Sequence, residues 1–196
     1  MAMKKGENFN RPARGTTTTV SPIREMKDIQ SIEKLLADNP RNLCLFIFGI
    51  NTNLRACDLL RIKVGEVKDL RPGDTLQLRE KKTGKIRQIP LNKALVRSIQ
   101  DLLKSRQYQD EYPLFIGRRG PLTVPTVNAL VKSWCKAINL NGGNYGAHTL
   151  RKTFGYHQRV TFGAGLPELM ICFNHSSQRQ TLDYLCVSRR KSVAFI

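Results

Sequence analysis

The sequence predicts a mainly α-helical fold with one small antiparallel β-sheet, which places it in the α+β class. Most of the chain repeats apolar residues every three to four positions, the spacing of an amphipathic helix. A single region alternates apolar and polar residues on both sides of a Thr-Gly pair, the pattern of a β-hairpin. Hydrophobic residues make up 40% of the 196 positions, which is enough for the core of one domain, and no internal repeat is visible.

The N-terminal third is predicted to contain an arm and three helices. Residues 1–21 are polar, basic and rich in threonine, which is typical of a flexible arm. The apolar stripe that follows predicts a helix ending near Asn39-Pro40, and a more buried helix is predicted over 41–50. Asn51-Thr52-Asn53 then offers cap residues for a short helix over 54–62.

The middle of the chain is predicted to contain the hairpin and two helices. The segments TLQLRE (75–80) and IRQIPL (86–91) are the predicted strands, with Thr83-Gly84 in the turn between them. Asn92 is predicted to cap the helix that follows, because its side chain can accept a bond from a free amide of the first turn. A further helix is expected after the basic loop 117–120.

The C-terminal third is predicted to contain three helices. A Gly/Asn-rich break at 141–144 precedes a helix over 149–161. The second helix, over 167–173, begins with a proline, a favoured first helical residue, and the last helix covers 181–187. Residues 188–196 are expected to form a C-terminal tail.

Charge and hydropathy limit the kinds of partner. The chain has 33 Lys and Arg against 15 Asp and Glu, a formal charge of +18, which favours a polyanionic partner such as nucleic acid. The longest apolar run, 43–50, is far shorter than the ~20 residues that span a bilayer, so no membrane partner is expected. No apolar segment follows the basic N-terminal residues as in a secretory signal, and a cytoplasmic location is therefore predicted.

Motifs for cofactor binding are missing from the sequence. The five cysteines form no CxxC pair and do not lie at zinc-ligand spacing with the three histidines, which predicts reduced thiols. There is no Walker A motif, no GxGxxG and no tight carboxylate cluster for Mg²⁺. We therefore expect chemistry that uses no metal ion, no ATP and no other cofactor.

A set of polar residues occurs in a distinctive order along the chain. The members are Arg55, Lys82, His148, Arg151, His175 and Tyr184. They lie in the segments NTNLRACDLLRIKVGEV (51–67), REKKTGKIRQIPL (79–91), HTLRKTFGYH (148–157) and FNHSSQRQTLDYL (173–185). In these segments the sequence resembles the tyrosine recombinase (phage integrase) family. The resemblance implies that family's catalytic-domain fold, with 22–187 as the catalytic domain.

The resemblance also implies an activity and a partner. The activity is site-specific cleavage and rejoining of DNA strands through a covalent 3′-phosphotyrosyl intermediate, with Tyr184 as the nucleophile and the other five residues activating the phosphate. The partner is double-stranded DNA, on which a homotetramer assembles from a monomer or weak oligomer. An enzyme of this kind would integrate or recombine a mobile element and would be associated with the nucleoid.

Elementary chemistry supports these roles. Arg55 and Arg151 suit a phosphorane, because a guanidinium is always charged and contacts two oxygens in one plane. Asp58, one turn after Arg55, can pair with it and orient it. Lys82 can reach from a tight turn and protonate the leaving 5′-oxygen as a general acid. The neighbouring Lys81 and Lys85 are alternatives, and the resemblance favours the Lys of KTG.

The histidines allow more than one role. His148 lies three residues before Arg151, so both can address one phosphate from the same helix face, and His148 can also cap the helix or accept the tyrosine proton. His175 precedes Ser176-Ser177, which are predicted to cap the final helix. The resemblance implies that His175 donates to a phosphate oxygen. His157 is predicted to be structural and outside the site.

The sequence departs from the family pattern at three points. Asn53 replaces a usual Gly, and asparagine tolerates the positive φ of that turn. Phe173-Asn174 replaces a common Leu-Gly, and only a short arm precedes the catalytic region where a DNA-clamping domain is usual. Basic residues are expected to bind the flanking DNA backbone and partly replace that domain, and these include Lys4, Lys5, Arg11, Arg14, Arg118 and Arg119. Lys81, Lys85 and Lys152 are predicted as further DNA contacts. Two alternative functions remain open, a DNA-binding regulator without turnover and a type IB topoisomerase-like nicking-closing enzyme.

Overall fold

The computed structural model describes residues 19–187. Most of the predicted arm and all of the predicted tail therefore lie outside the described residues. The helices within this range are α1 (Met26–Leu35), α2 (Pro40–Asn51), α3 (Ala56–Leu59), α4 (Lys93–Lys104), α5 (Val124–Ala137), α6 (Ala147–Val160), α7 (Leu166–Phe173) and α8 (Gln178–Leu185), with a 3₁₀ turn at Val64–Glu66. The strands are β1 (Thr75–Arg79), β2 (Ile86–Pro90), β3 (Ile116–Gly117) and β4 (Gly120–Pro121). The predicted mainly α fold with a small antiparallel sheet is confirmed.

The predicted hairpin is present, and a second, shorter one accompanies it. β1 and β2 pair antiparallel with Thr75 opposite Pro90 and Arg79 opposite Ile86, which leaves 80–85 as the connecting loop. β3 and β4 form a two-residue ladder where the sequence predicted only a basic loop. Gly120 has φ +110°, a backbone conformation that glycine adopts without strain, and it allows so tight a reversal.

Helix caps agree with the sequence at two places and differ at a third. The Asn92 side chain accepts from the amide of Leu95, and Ser177 caps α8 in the same way. The expectation that Asn51-Thr52-Asn53 caps α3 is wrong, because α3 begins after Arg55 and has no side-chain cap. Asn53 adopts φ 51°, as the sequence predicted, and this left-handed turn separates α2 from α3.

Helix α2 is the centre of the main core and packs against α4 and α6. It contributes Leu45, Phe46 and Phe48, all fully buried. At Gly49 a Cβ atom would lie 2.5 Å from the Leu150 side chain, so glycine is required for α6 to approach this closely. The close packing of α6 on α2 brings the first turns of α6 to the end of α2, where Asn53 and Arg55 follow.

A smaller apolar cluster holds the last two helices. Leu169, Phe173 and Leu185 form its buried part, against which α7 and α8 pack under α6. His157 on α6 is buried, with Nε2 3.0 Å from the Ile23 carbonyl and Nδ1 2.8 Å from the Thr161 hydroxyl, so its predicted structural role is confirmed. All five cysteines are free thiols. Between residues 19 and 187, no helix has the length and apolarity needed to cross a bilayer.

Candidate active site

Two arginines from distant parts of the chain meet beside the turn between α2 and α3. Arg55 is the N-cap residue directly before α3, and Arg151 lies in the second turn of α6, where it is only 5% exposed. Nε of Arg151 donates to Oδ1 of Asn53 at 2.9 Å, although the two residues are 98 positions apart. This bond leaves both Nη atoms of Arg151 without a partner among the described residues, so they are available to an anion.

Arg55 is paired to two carboxylates. Its Nη1 lies 2.9 Å from Oε2 of Glu80 and 3.9 Å from Oδ2 of Asp58. Asp58, predicted as the orienting acid, also accepts from the amide of Lys81 at 2.8 Å and is fully buried. The closer partner is Glu80, which the sequence did not indicate because it stands 25 residues away in the hairpin. Both acids approach Nη1, and Nε and Nη2 of Arg55 have no hydrogen-bond partner among residues 19–187.

Glu80 also joins the hairpin turn to Arg55. Its Oε2 accepts from the Thr83 hydroxyl at 2.5 Å, one residue beyond Lys82. Burial acts to raise the pKa of Glu80, but the hydrogen bond from Thr83, the ion pair with Arg55 and the charge of Arg87 outweigh it and lower that pKa. Glu80 is therefore an anion at neutral pH that ties the lysine turn to the arginine.

The three candidate lysines of the hairpin have different surroundings. The ammonium of Lys85 donates to Oδ1 of Asn174 at 2.5 Å, which links the hairpin to the end of α7. Lys81 is fixed through its backbone amide, while its side chain is exposed. Lys82 is exposed, its ammonium has no partner in the described part of the chain, and its charge acts on His148. Lys82 is thus within electrostatic range of His148, and its exposed ammonium is available to a bound group.

His148 is the second residue of α6 and is exposed to solvent. The sequence allowed it a capping role, but the cap residue is Gly146, whose amide donates to the Thr149 hydroxyl. Partial withdrawal from water and then the positive charges of Arg151 and Lys152 lower the pKa of His148. Its imidazole is therefore neutral at pH 7 and can accept a proton.

His175 and Tyr184 are in contact with each other. Their rings meet edge to face with centroids 5.2 Å apart, and His175 also stacks on Phe173 at 5.5 Å. Nδ1 of His175 lies 3.1 Å from the Thr181 hydroxyl on α8, which fixes the ring plane and leaves Nε2 for a ligand. Burial, followed by the charges of Arg151 and Arg55, lowers the pKa of His175.

Tyr184 lies half-buried on α8 among these groups. Burial raises the pKa of its phenol, while the charges of Arg151 and Arg55 act in the opposite direction. The ammonium of Lys152 lies 4.9 Å from the centroid of the Tyr184 ring, and the Phe173 ring lies 5.2 Å from it on centroids. The phenol is therefore neutral in the free protein and surrounded by cations that would favour its anion.

Lys152 occupies a different place from the one the sequence predicted. A contact with the DNA backbone requires an exposed ammonium, but Lys152 is 4% exposed. Its Nζ donates to Sγ of Cys186 at 3.4 Å and lies over Tyr184. The reason is its position in α6: the residue after Arg151 faces α8, which packs across that helix.

Arg118 and Arg119 lie outside this cluster. They are exposed in the turn of the second hairpin, whose Ile116 carbonyl accepts from Arg41 at 3.4 Å. Arg41 is at the beginning of α2, whereas the site is beyond the end of that helix. These two arginines are therefore too far away to contact a group bound in the site.

The cluster as a whole is suited to an anionic group with a nearby nucleophile. Two guanidinium groups, one ammonium unpaired among the described residues and two neutral imidazoles lie in the same region of the structure as a single phenol. Within 19–187, no three His, Cys, Asp or Glu side chains lie together in a way that could hold a metal ion. Local sequence contained signals for the six polar residues, but none for the side-chain roles of Asn53 and Glu80, which depend on long-range contacts.

Known proteins with similar sequences were found by comparison. The family model described as "Phage integrase family" matches residues 24–190. The chain is 36% identical over 169 residues to "Probable integrase/recombinase YoeC" of Bacillus subtilis strain 168, over 85% of this chain and 89% of that protein. It is 33% identical over 170 residues to "Tyrosine recombinase XerA" of Pyrococcus horikoshii, over 85% of this chain and 56% of that protein.

Solved structures with the same fold were also found. The crystal structure of XerA recombinase has a TM-score of 0.70 at 16% identity, over 92% of this chain and 62% of that one. The XerH site-specific recombinase in its post-cleavage complex with palindromic difH substrate has a TM-score of 0.70 at 21% identity, over 88% of this chain and 50% of that one. The chain thus spans between half and two thirds of these structures.

Proposed function

The chain belongs to the phage integrase family, and on that premise we propose that it is a site-specific DNA recombinase whose nucleophile is Tyr184. The observation that carries the proposal is the single cluster in which Tyr184 contacts His175 and is influenced by the charges of Arg55 and Arg151. A phosphodiester is the anion that such a cluster fits, since two guanidinium groups can bind its non-bridging oxygens.

The proposed reaction is a transesterification at one DNA strand. Oη of Tyr184 attacks the scissile phosphorus, a P–O bond to the phenol forms, and the P–O5′ bond breaks. Arg55 and Arg151 stabilise the charge that develops on the phosphorane oxygens, and His175 donates a hydrogen bond to one of them. Lys82 gives its proton to the departing 5′-oxygen, and a neutral imidazole, that of His148, accepts the proton of the phenol.

Rejoining is the reverse of cleavage with another strand. The 5′-hydroxyl of a partner strand attacks the phosphotyrosyl ester and gives its proton to the neutral amine of Lys82. The P–O bond to Tyr184 breaks, and the imidazolium of His148 returns its proton to the departing phenolate. The number of phosphoester bonds is unchanged throughout, so the step requires no ATP. Arg55 and Arg151 are proposed to supply the charge stabilisation without a metal ion. Double-stranded DNA is the proposed substrate, and exchange between two duplexes requires several copies of the chain, which we propose to be a homotetramer on DNA.

The free protein should hold the nucleophile in an inactive form until DNA binds. Burial keeps the pKa of Tyr184 above its usual value, and His175 and His148 are neutral. A phosphate between Arg55 and Arg151 would compensate their charge and bring Tyr184 within reach of an electrophile. Deprotonation would then accompany attack instead of preceding it.

The test is the capture of a covalent protein–DNA adduct. A pool of duplexes with a random central sequence and a nick in one strand is incubated with the protein. Cleavage next to the nick releases a short fragment, and rejoining is prevented because the 5′-hydroxyl is lost with that fragment. We expect SDS-stable adducts with the wild type and none with Tyr184→Phe. Tyr112→Phe, which changes an exposed tyrosine on another surface, is the matched control and should form adducts like the wild type.

The other outcomes distinguish the alternative functions. DNA binding without any adduct, in the wild type as well as in Tyr184→Phe, would indicate a DNA-binding regulator without turnover. Adducts with no common sequence, together with relaxation of supercoiled plasmid, would indicate a nicking-closing enzyme. Adducts that persist in Tyr184→Phe would refute the assignment of the nucleophile.

A further inference from the structure

We infer that the side chain of Asn53 is a positioning residue that orients Arg151 and connects it to the segment that carries His175. The inference rests on the proposed function and adds a role for a side chain that the Arg, Lys, His and Tyr set does not contain. Asn53 is 1% exposed, and both ends of its amide are used.

The acceptor end fixes the guanidinium. Oδ1 of Asn53 accepts from Nε of Arg151 at 2.9 Å, and on the other side the guanidinium carbon lies 5.1 Å from the centroid of the Phe173 ring. A guanidinium held at Nε cannot turn about its last bond without losing that hydrogen bond. The two Nη atoms therefore remain directed toward one position, as bidentate binding of a phosphate requires.

The donor end fixes helix α7. Nδ2 of Asn53 donates to the carbonyl oxygen of Cys172 at 2.8 Å and approaches its Sγ at 3.0 Å. This carbonyl is in the last turn of α7, where no intrahelical amide is available to it, and Nη1 of Arg87 donates to it as well at 2.6 Å. Cys172 precedes Phe173 directly and lies three residues before His175. One amide thus sets the distance between Arg151 and the His175 segment.

The backbone conformation of Asn53 allows the role of its side chain to be tested without changing the turn. Asn53 has φ 51°, a conformation that glycine adopts more easily, so Asn53→Gly retains the turn and removes only the amide. Asn139, after α5, has φ 57° and is exposed, and its side chain makes no hydrogen bond among the described residues. Asn139→Gly is therefore the matched control for the change in backbone freedom.

Two measurements test the inference. The first is the single-turnover rate of adduct formation on a selected nicked duplex at saturating protein, with DNA affinity measured separately. We expect Asn53→Gly to be slower by about 10- to 100-fold, because a misplaced binding group loses that much, with its dissociation constant for DNA within about threefold of the wild type. Asn139→Gly should react at the wild-type rate.

The second measurement does not depend on activity. It follows the ¹H–¹⁵N NMR signal of the Arg151 Nε–H, assigned by its loss in Arg151→Lys. In the wild type and in Asn139→Gly this proton should exchange slowly with water, and in Asn53→Gly it should exchange rapidly. A wild-type rate or an unchanged signal in Asn53→Gly overturns the inference and leaves the proposed function standing. If the wild type forms no adduct, the proposed function fails. The NMR signal alone then decides whether Asn53 orients Arg151.

Discussion

Replacing Gly155 with alanine should disturb the proposed nucleophile from a distance. Gly155 is in the middle of α6, where the helix crosses the small cluster that holds α7 and α8. A Cβ atom at this position would lie 2.4 Å from Cδ2 of Leu185 and 2.5 Å from Cζ of Phe173. Leu185 directly follows Tyr184, and Phe173 contacts it. The substitution therefore acts on the residues that support Tyr184.

The magnitude follows from two opposing terms. Alanine in a helix interior is favoured over glycine by about 1 kcal/mol. Both contacts are about 1 Å shorter than ordinary van der Waals contact, and Leu185 and Phe173 are 0% and 2% exposed and cannot move into solvent. Overpacking of this kind costs about 1–3 kcal/mol, so the net loss is at most about 2 kcal/mol. In a domain of this size each kcal/mol lowers Tm by about 2–4 °C.

Catalysis should decrease far more than stability. The clash is relieved most easily by moving the two short helices α7 and α8, and a displacement of about 1 Å at a reacting group can reduce the rate about 100-fold. The assay compares Tm and the single-turnover rate of adduct formation for the wild type, Gly155→Ala and Gly142→Ala. Gly142 is the control because a Cβ atom there meets nothing within 4 Å. A wild-type rate in Gly155→Ala, with Tm lowered as expected, would refute the view that this contact positions Tyr184.

Three further predictions concern charge. Glu80→Gln removes the buried ion pair with Arg55. Because folding lowers the pKa of Glu80, the ion pair stabilises the fold fully above the unfolded-state pKa of 4.5, and this stabilisation is lost as the pH falls through the folded-state pKa. Urea unfolding should therefore show a deficit of about 1–3 kcal/mol at pH 7 that narrows below pH 4.5, and a deficit independent of pH would contradict this origin. Arg118→Ala and Arg119→Ala each remove an exposed charge. If that charge contacts a phosphate, the slope of log K for DNA binding against log salt concentration should become smaller in magnitude by about 0.9, and the rate of cleavage from the bound state should not change. Lys152→Met should leave that slope unchanged and slow cleavage, because Lys152 is buried against Tyr184; a reduced slope would restore it as a DNA contact.

The elements that the sequence predicted correctly are those encoded by neighbouring residues. The hairpin over 75–91 follows from strict alternation around a turn, and the start of α4 follows from Asn92, whose side chain bonds an amide three residues later. The positive φ of Asn53 is also a local property. Such signals act within a few residues, so they can be interpreted without knowledge of the packing.

The partners within the site depended on the tertiary structure. Asn53 binds Arg151 across 98 residues through the packing of α6 on α2. Glu80 pairs with Arg55 across 25 residues where the hairpin loop meets α3, at the bond from the Lys81 amide to Asp58. Lys152 has the same local signal as an exposed lysine and is nevertheless buried, because α8 covers that face of α6. The sequence by itself determined which chemical groups the protein has and in which elements they lie. Which groups orient one another was decided only when distant segments packed, since an ion pair or amide contact requires proximity in space and leaves no periodic pattern along the chain.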